Sequence, residues 1–285
     1  ERKSIPLVLY VTDLWPENVA MVAGIKNSAV LGFIGAMVDY IYAHCDKILT
    51  SSASFVSAIE DRGVEKTKLE FWPQYAEDFY RPIPKGSADV PAIPNDKRFN
   101  IIFAGNIGYA QGLDVLPKVA LILKDRGTMV RFNLVGDGRA KSHLIREIEA
   151  RGVMDYFNFI ERQPATQIPV FMSACDAALI CLSKNEAFEI TLPAKTQSCL
   201  ACGIPIIVSA DGEVSDVIEK AGAGICSPAG DYKRLADNII RLMGYSDHEL
   251  AMLGRNGVQY CNRYFDKTKL LDRVDEIFEE ISQRV

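Results

Sequence analysis

Apolar, β-branched runs alternate with stretches of helical periodicity along nearly the whole chain. The runs predict strands at residues 7–12, 47–50, 69–72, 100–103, 130–135, 157–160, 177–181, 206–209 and 223–226. Between them the 3.6-residue pattern predicts helices at 29–43, 54–62, 112–126, 140–151, 168–173, 195–202, 213–220 and 232–243. Strands that are continuously apolar, rather than alternating, belong to parallel sheets covered on both faces. The fold class is therefore α/β, built from two Rossmann-like domains. A proline-rich stretch from Tyr80 to Asn95, with Pro82, Pro84, Pro91 and Pro94, interrupts every period. Such a segment reads as a linker, so a partial N-terminal domain is expected over 1–85, a linker over 86–96 and a second domain over 97–264. The last segment, 265–285, carries Leu270, Leu271, Val274, Ile277, Phe278 and Ile281 on one stripe. It reads equally as a helix covering its own core and as one crossing back to the first domain.

The chain has 285 residues, 48% of them apolar and 24% charged, which is ordinary for a globular protein with a sizeable core. A net charge of −5 argues against a broad electrostatic grip on nucleic acid or on an anionic bilayer. No apolar run reaches the roughly 20 residues of a membrane-spanning helix. The seven cysteines are scattered through apolar runs and read as reduced core residues. Cys199 and Cys202 form a lone C-x-x-C without a second pair, and the three histidines are dispersed, so no metal site is expected. The chain opens Glu1-Arg2-Lys3 directly before an apolar strand, as though cut from a larger sheet. A missing N-terminal segment is therefore expected.

Candidate chemistry gathers at three strand ends. Gly105-Asn106-Ile107-Gly108 through Gln111-Gly112 follows one strand and opens a helix, so backbone amides there can approach an anion. Val135-Gly136-Asp137-Gly138 makes a second such turn. The run from Glu186 to Ala210 places Glu186, Glu189 and the Pro193-Ala194-Lys195 turn before a small-residue helix and a buried strand. In open α/β sheets ligands collect at the carboxyl edge, where strand order reverses, so the three segments predict one crevice. Asp13, in Asp13-Leu14-Trp15-Pro16-Glu17, stands at a strand end of the first domain; it suits either an Asx turn or a group facing substrate. Thr50-Ser51-Ser52 suits helix capping or substrate contact. Glu213 begins a helix after Gly212 and suits either a dipole-compensating acid or a ligand.

These residues carry a resemblance. The chain from Phe103 to about Ala251 resembles the donor-binding domain of retaining family 4 glycosyltransferases of the GT-B fold, through Gly105-Asn-Ile-Gly-Tyr-Ala-Gln-Gly112, Val135-Gly-Asp-Gly138 and Ser227-Pro-Ala-Gly-Asp231. Asp13-Leu-Trp-Pro-Glu17 and Pro193-Ala-Lys195 are similar to strings in the WbuB-like amino-sugar transferases of O-antigen and capsule assembly. Many members of family 4 hold the diphosphate with an Arg and a Lys in the first glycine loop; here those places are Asn106 and Gln111. The ribose-binding second Glu is replaced by Ser198, and Glu189 stands beside the place of the first.

The resemblance implies a nucleotide-sugar donor as substrate and no resident cofactor. It assigns Lys195 to the leaving diphosphate, with Arg162 as second cation, and Glu189 to the donor sugar or the developing cation. Asp13 becomes the acid or base at the reacting centre. Gly105, Asn106, Gly108 and Gln111 belong to the phosphate loop. Gly136, Arg162 and Gln163 line the nucleoside, with Glu186, Ser198 and Glu213 completing the donor set. It further implies transfer with retention from a UDP-sugar, an N-acetylated amino sugar, to a polyprenyl-diphosphate-linked saccharide acceptor. The location implied is cytoplasmic, with peripheral contact at the inner face of the membrane. Two other functions share the shape: a catalytically idle nucleotide-sugar-binding subunit, and a sugar-nucleotide 2-epimerase, which needs cleft histidines. With an N-terminal segment absent, the chain is expected to bind donor nucleotide but to turn over poorly.

Overall fold

The computed structural model describes residues 5–22, 24, 25 and 27–283. The opening Glu1-Arg2-Lys3 and the last two positions of the expected C-terminal helix lie outside them. All nine expected strands form, with ends within about one residue of the pattern. The first domain contains β1 (Val8–Val11), α1 (Glu17–Val22), α2 (Ser28–His44), β2 (Lys47–Thr50), α3 (Ala53–Glu60) and β3 (Leu69–Phe71). Its three strands pair in parallel in the order β1-β2-β3. Val38 and Tyr42 of α2 and Phe55 and Ile59 of α3 close over one face of this sheet.

The second domain continues with β4 (Phe99–Ala104), α4 (Leu116–Asp125), β5 (Val130–Val135), α5 (Lys141–Ala150), β6 (Phe157–Ile160), α6 (Ile168–Ser173) and β7 (Ala177–Cys181). There follow α7 (Glu186–Glu189), α8 (Lys195–Cys202), β8 (Ile206–Ser209), α9 (Glu213–Ala221), β9 (Gly224–Ser227), α10 (Tyr232–Met243), α11 (Asp247–Tyr264) and α12 (Lys267–Ser282). Its six strands are all parallel, in the order β6-β5-β4-β7-β8-β9. Strand order reverses between β4 and β7, so the two loops that leave these strands diverge to opposite sides and open a crevice. Strand side chains alternate between two cores. Ile101 and Phe103 face α4, α5 and α10, while Ile102 faces α6, α8 and α9.

Three helices were not anticipated. The short α1 and α7 fall in segments read as loops. The 18-residue α11 was masked by Gly254 and Gly257, which weaken the pattern but are required where α11 crosses α8. A Cβ on Gly254 would overlap the Gly203 carbonyl, and one on Gly257 would stand 3.3 Å from a Leu200 methyl. The capping box Ser246-x-x-Glu249 was the available signal. The expected helix from 112 starts as a tight turn and becomes α-helical only at Leu116.

No regular element lies between Phe71 and Phe99. This stretch is more than a spacer, since Val90 and Ile93 are buried in the second domain's core. Asn158 donates to the Ala92 carbonyl at 2.8 Å, and Arg131 forks onto Asp96 at 3.1 and 2.5 Å. The final helix, α12, lies on the first domain. Ile277 and Ile281 are buried with Leu49, beside Tyr10 and Trp72, and Arg273 grips Glu70 with two hydrogen bonds of 2.7 and 3.0 Å. Leu271 and Phe278, expected on its buried stripe, are instead exposed.

Candidate functional site

A cleft of about 630 Å³ opens at the carboxyl end of β4, β5 and β6. Its floor is two interlocked glycine turns. The Gly105 amide donates to the Val135 carbonyl (3.0 Å), the Ile107 amide to Asp137 (2.8 Å) and the Gly136 amide to Ile160 (3.0 Å). A Cβ on Gly136, at φ +138°, would overlap the Gly105 carbonyl oxygen. The second glycine turn is therefore demanded by contact with the first, and not only by access for an anion.

Lys195 enters from the first turn of α8. Its Nζ lies 4.0 Å from the centroid of the buried Phe103 ring and 3.3 Å from where a Cβ on Gly105 would stand, and it donates to Gln111 Oε1. Burial holds its pKa down to about 8; the nearby thiols of Cys199 and Cys181 act weakly in the other direction. An incoming dianion would supply the missing counter-charge. Ser198, one turn along α8, donates to the Ala194 carbonyl at 3.3 Å and reaches the Tyr80 phenol, whose pKa burial raises.

The cleft brings together seven of the expected residues: Gly105, Asn106, Gly136, Arg162, Gln163, Lys195 and Ser198. Gln163 donates to the Glu161 carbonyl at 3.0 Å, which fixes the loop after β6. Asn106 turns back beneath its own loop toward Gly108 and Gly138. Six expected residues lie outside the cleft lining. Gly108 only closes the turn, and Gln111 touches Lys195 from behind. Glu186 and Glu189 sit on α7, capped by Asn185, with the Glu186 side chain exposed. Asp13 accepts from the Asn18 side-chain amide Nδ2 at 2.8 Å, a bond between side chains and not an Asx turn, and lines a separate recess beside α2.

Glu213, expected at the donor, serves the other domain. Only 7% exposed, its carboxylate accepts from the Ala53 amide at 2.6 Å and the Ser54 amide at 2.8 Å, capping α3 across the interface. Ser52, in the cap position of that helix, makes no side-chain cap bond and instead accepts from the Leu192 amide at 2.7 Å. Neither substrate contact nor ordinary capping describes it. The pattern also missed Phe103, Tyr80 and Met172 as lining or flanking residues, because an aromatic or Met in an apolar run reads as core.

Residues 89–259 match the family of group 1 glycosyl transferases. The chain belongs to that family. This group 1 glycosyl transferase is 26% identical over 234 residues to a putative colanic acid biosynthesis glycosyl transferase, WcaI, of Escherichia coli K12; the match covers 79% of the chain and 55% of the relative. It is 23% identical over 143 residues to the amylovoran biosynthesis glycosyltransferase AmsK of Erwinia amylovora, covering 50% of the chain and 35% of that protein. The chain thus spans about half the length, or less, of these relatives. Among solved structures, Anabaena HepE in complex with UDP and glucose superimposes with a TM-score of 0.76 at 16% identity, over 96% of this chain and 71% of that one. Sucrose-phosphate synthase of Thermosynechococcus elongatus gives 0.77 at 15% identity, over 98% and 68%. The fold of this group 1 glycosyl transferase is GT-B, with parallel strands in each of its two units. Among the described residues no helix is long and apolar enough to cross a membrane.

Proposed function

We propose that this chain binds a UDP-sugar in the cleft and forms the donor side of a transferase for cell-surface polysaccharide assembly. The observation that carries the reading is the Lys195 ammonium, held against Gly105 at the edge where strand order reverses. A cation desolvated there, next to backbone amides of the glycine loop, suits a leaving diphosphate whose charge grows in the transition state. Arg162 stands at the cleft mouth as second cation, and Gly136 with Gln163 offers backbone to the nucleoside. The HepE complex with UDP and the relatives named for colanic acid and amylovoran synthesis support the donor and the setting.

The finer reading is transfer with retention of an N-acetylated amino sugar to a polyprenyl-diphosphate-linked saccharide. It includes peripheral contact with the inner membrane face from the cytoplasm and no resident cofactor. Asp13 outside the cleft favours a second reading, a nucleotide-sugar-binding subunit without turnover. Calorimetric titration with UDP, GDP and their sugars tests the first. UDP is expected to bind, and Lys195→Ala to weaken it about 10- to 100-fold, the loss of a charge-assisted hydrogen bond. Unchanged UDP affinity in Lys195→Ala would remove the assigned role. Sugar transfer by the purified chain to a lipid-linked acceptor would exclude the idle subunit.

A further inference from the structure

The donor reading leaves one polar contact at the cleft unexplained. Gln111 is outside the cleft lining, yet its amide oxygen is the acceptor for the ammonium that lines it. Resting on that reading, we propose that Gln111 is the positioning residue for Lys195: it aims the ammonium at the Gly105 turn and, being uncharged, leaves the positive charge free for the diphosphate.

Gln111 has a firm base from which to do this. It closes the single turn Tyr109–Gln111 and precedes Gly112, whose φ of +59° only glycine adopts readily. That turn is stitched to the end of β7. The Ser183 amide donates to the Ala110 carbonyl at 3.0 Å, the Cys181 thiol to Gly112 at 3.3 Å, and a Cβ on Gly112 would meet the Leu182–Ser183 peptide at 2.8 Å. The turn therefore moves with the sheet, and so does the amide it carries. On its other side the ammonium meets the Phe103 ring, which attracts a cation without neutralising it. Both contacts hold the ammonium in place, and neither cancels its charge. A carboxylate at position 111 would form an ion pair with Lys195, which the diphosphate would have to break.

The groups facing Nζ are Phe103 of β4, Gln111, Cys181 of β7 and Cys199 of α8. Burial pushes both thiols up to about 12, so they stay silent across the working range. Asp137 and Arg162 line the same cleft. Lys195, depressed to about 8, then sets the alkaline limb of UDP binding. Affinity is full below that pH and falls as the free protein loses the proton.

The test is UDP binding by calorimetry from pH 6.5 to 9.5 in wild type, Gln111→Leu, Gln111→Glu, Lys195→Gln and the exchanged pair Gln111→Lys with Lys195→Gln. Gln111→Leu is expected to bind UDP about tenfold more weakly at pH 7, with its alkaline limb moved to lower pH. Gln111→Glu is expected to bind more weakly at pH 7 but to move the limb to higher pH. The exchanged pair returns a cation to the glycine loop and is expected to recover at least about tenfold over Lys195→Gln alone. General damage to the fold would weaken binding at every pH without moving the limb. Wild-type binding of UDP together with an unchanged affinity and limb in Gln111→Leu would overturn this inference and leave the donor reading standing. A wild type that binds no UDP would overturn both.

Discussion

Replacing Glu213 by Ala removes a helix cap that one domain lends to the other. The first amides of α3 have no partner inside the helix, and the cap residue Ser52 spends its hydroxyl on Leu192. The Glu213 carboxylate supplies the deficit at 2.6 and 2.8 Å. Losing this cap leaves two enclosed amides unpaired, at about 1–3 kcal/mol each. Against this stands the relief of a carboxylate kept from water, worth several kcal/mol in the opposite sense. A net loss of about 2 kcal/mol falls on the first domain and its docking, not on the six-stranded sheet. Both tryptophans, Trp15 and Trp72, lie in the first domain, so fluorescence reports that domain while far-ultraviolet circular dichroism reports the whole chain. Urea unfolding should show the fluorescence midpoint of Glu213→Ala falling by about 1 M, at a slope of about 2 kcal/mol/M, ahead of the dichroism midpoint. Coincident transitions, displaced by less than about 0.2 M, would refute the cross-domain cap.

Gly136→Ala should destabilise the second domain by more than about 3 kcal/mol, since it adds strain at positive φ to overlap with the Gly105 carbonyl; a thermal melt within 2 °C of wild type would contradict the packing of the two turns. Burial works to raise the Glu70 carboxyl, but hydrogen bonds from Arg273 and Lys47 outweigh it and hold its pKa below the ordinary 4.5. The stability this contributes to α12 docking is present above that value and is lost as pH falls through the lower folded one. Trp72 Nε1 donates to the Leu270 carbonyl at 2.7 Å, so its fluorescence should report acid undocking. In Arg273→Ala the transition should begin at higher pH. Lys195 gives a slope of the same sign in a more alkaline window, because its depressed pKa reflects a buried charge that costs stability and not an ion pair that adds it. With a folded pKa of about 8 against 10.5, the ligand-free protein should gain stability as pH rises between the two. Lys195→Met should abolish that rise, which pH-dependent urea midpoints would show.

Strand placement was legible because burial of both sheet faces forces unbroken apolar runs such as Ala177–Cys181 and Ile206–Val208. The crevice was legible as well, since glycines at strand ends and Lys195 at a helix start are local signals whose meeting point follows from the order of a doubly wound sheet. The α11 helix was not, because the glycines that hide it answer to Gly203 and Leu200, more than 50 positions earlier. Nor were the destinations of Asp13 and Glu213. A carboxylate near a strand end or helix start is equally suited to ligand, Asx turn or cap, and the choice rests on which unpaired amide folding brings within 3 Å. For Glu213 that amide belongs to α3, some 160 residues away. The sequence by itself determined the sheets, the glycine turns and the charge available to the cleft. Tertiary structure alone decided which charges face it, since hydrogen-bond partners distant along the chain leave no periodic trace in either segment.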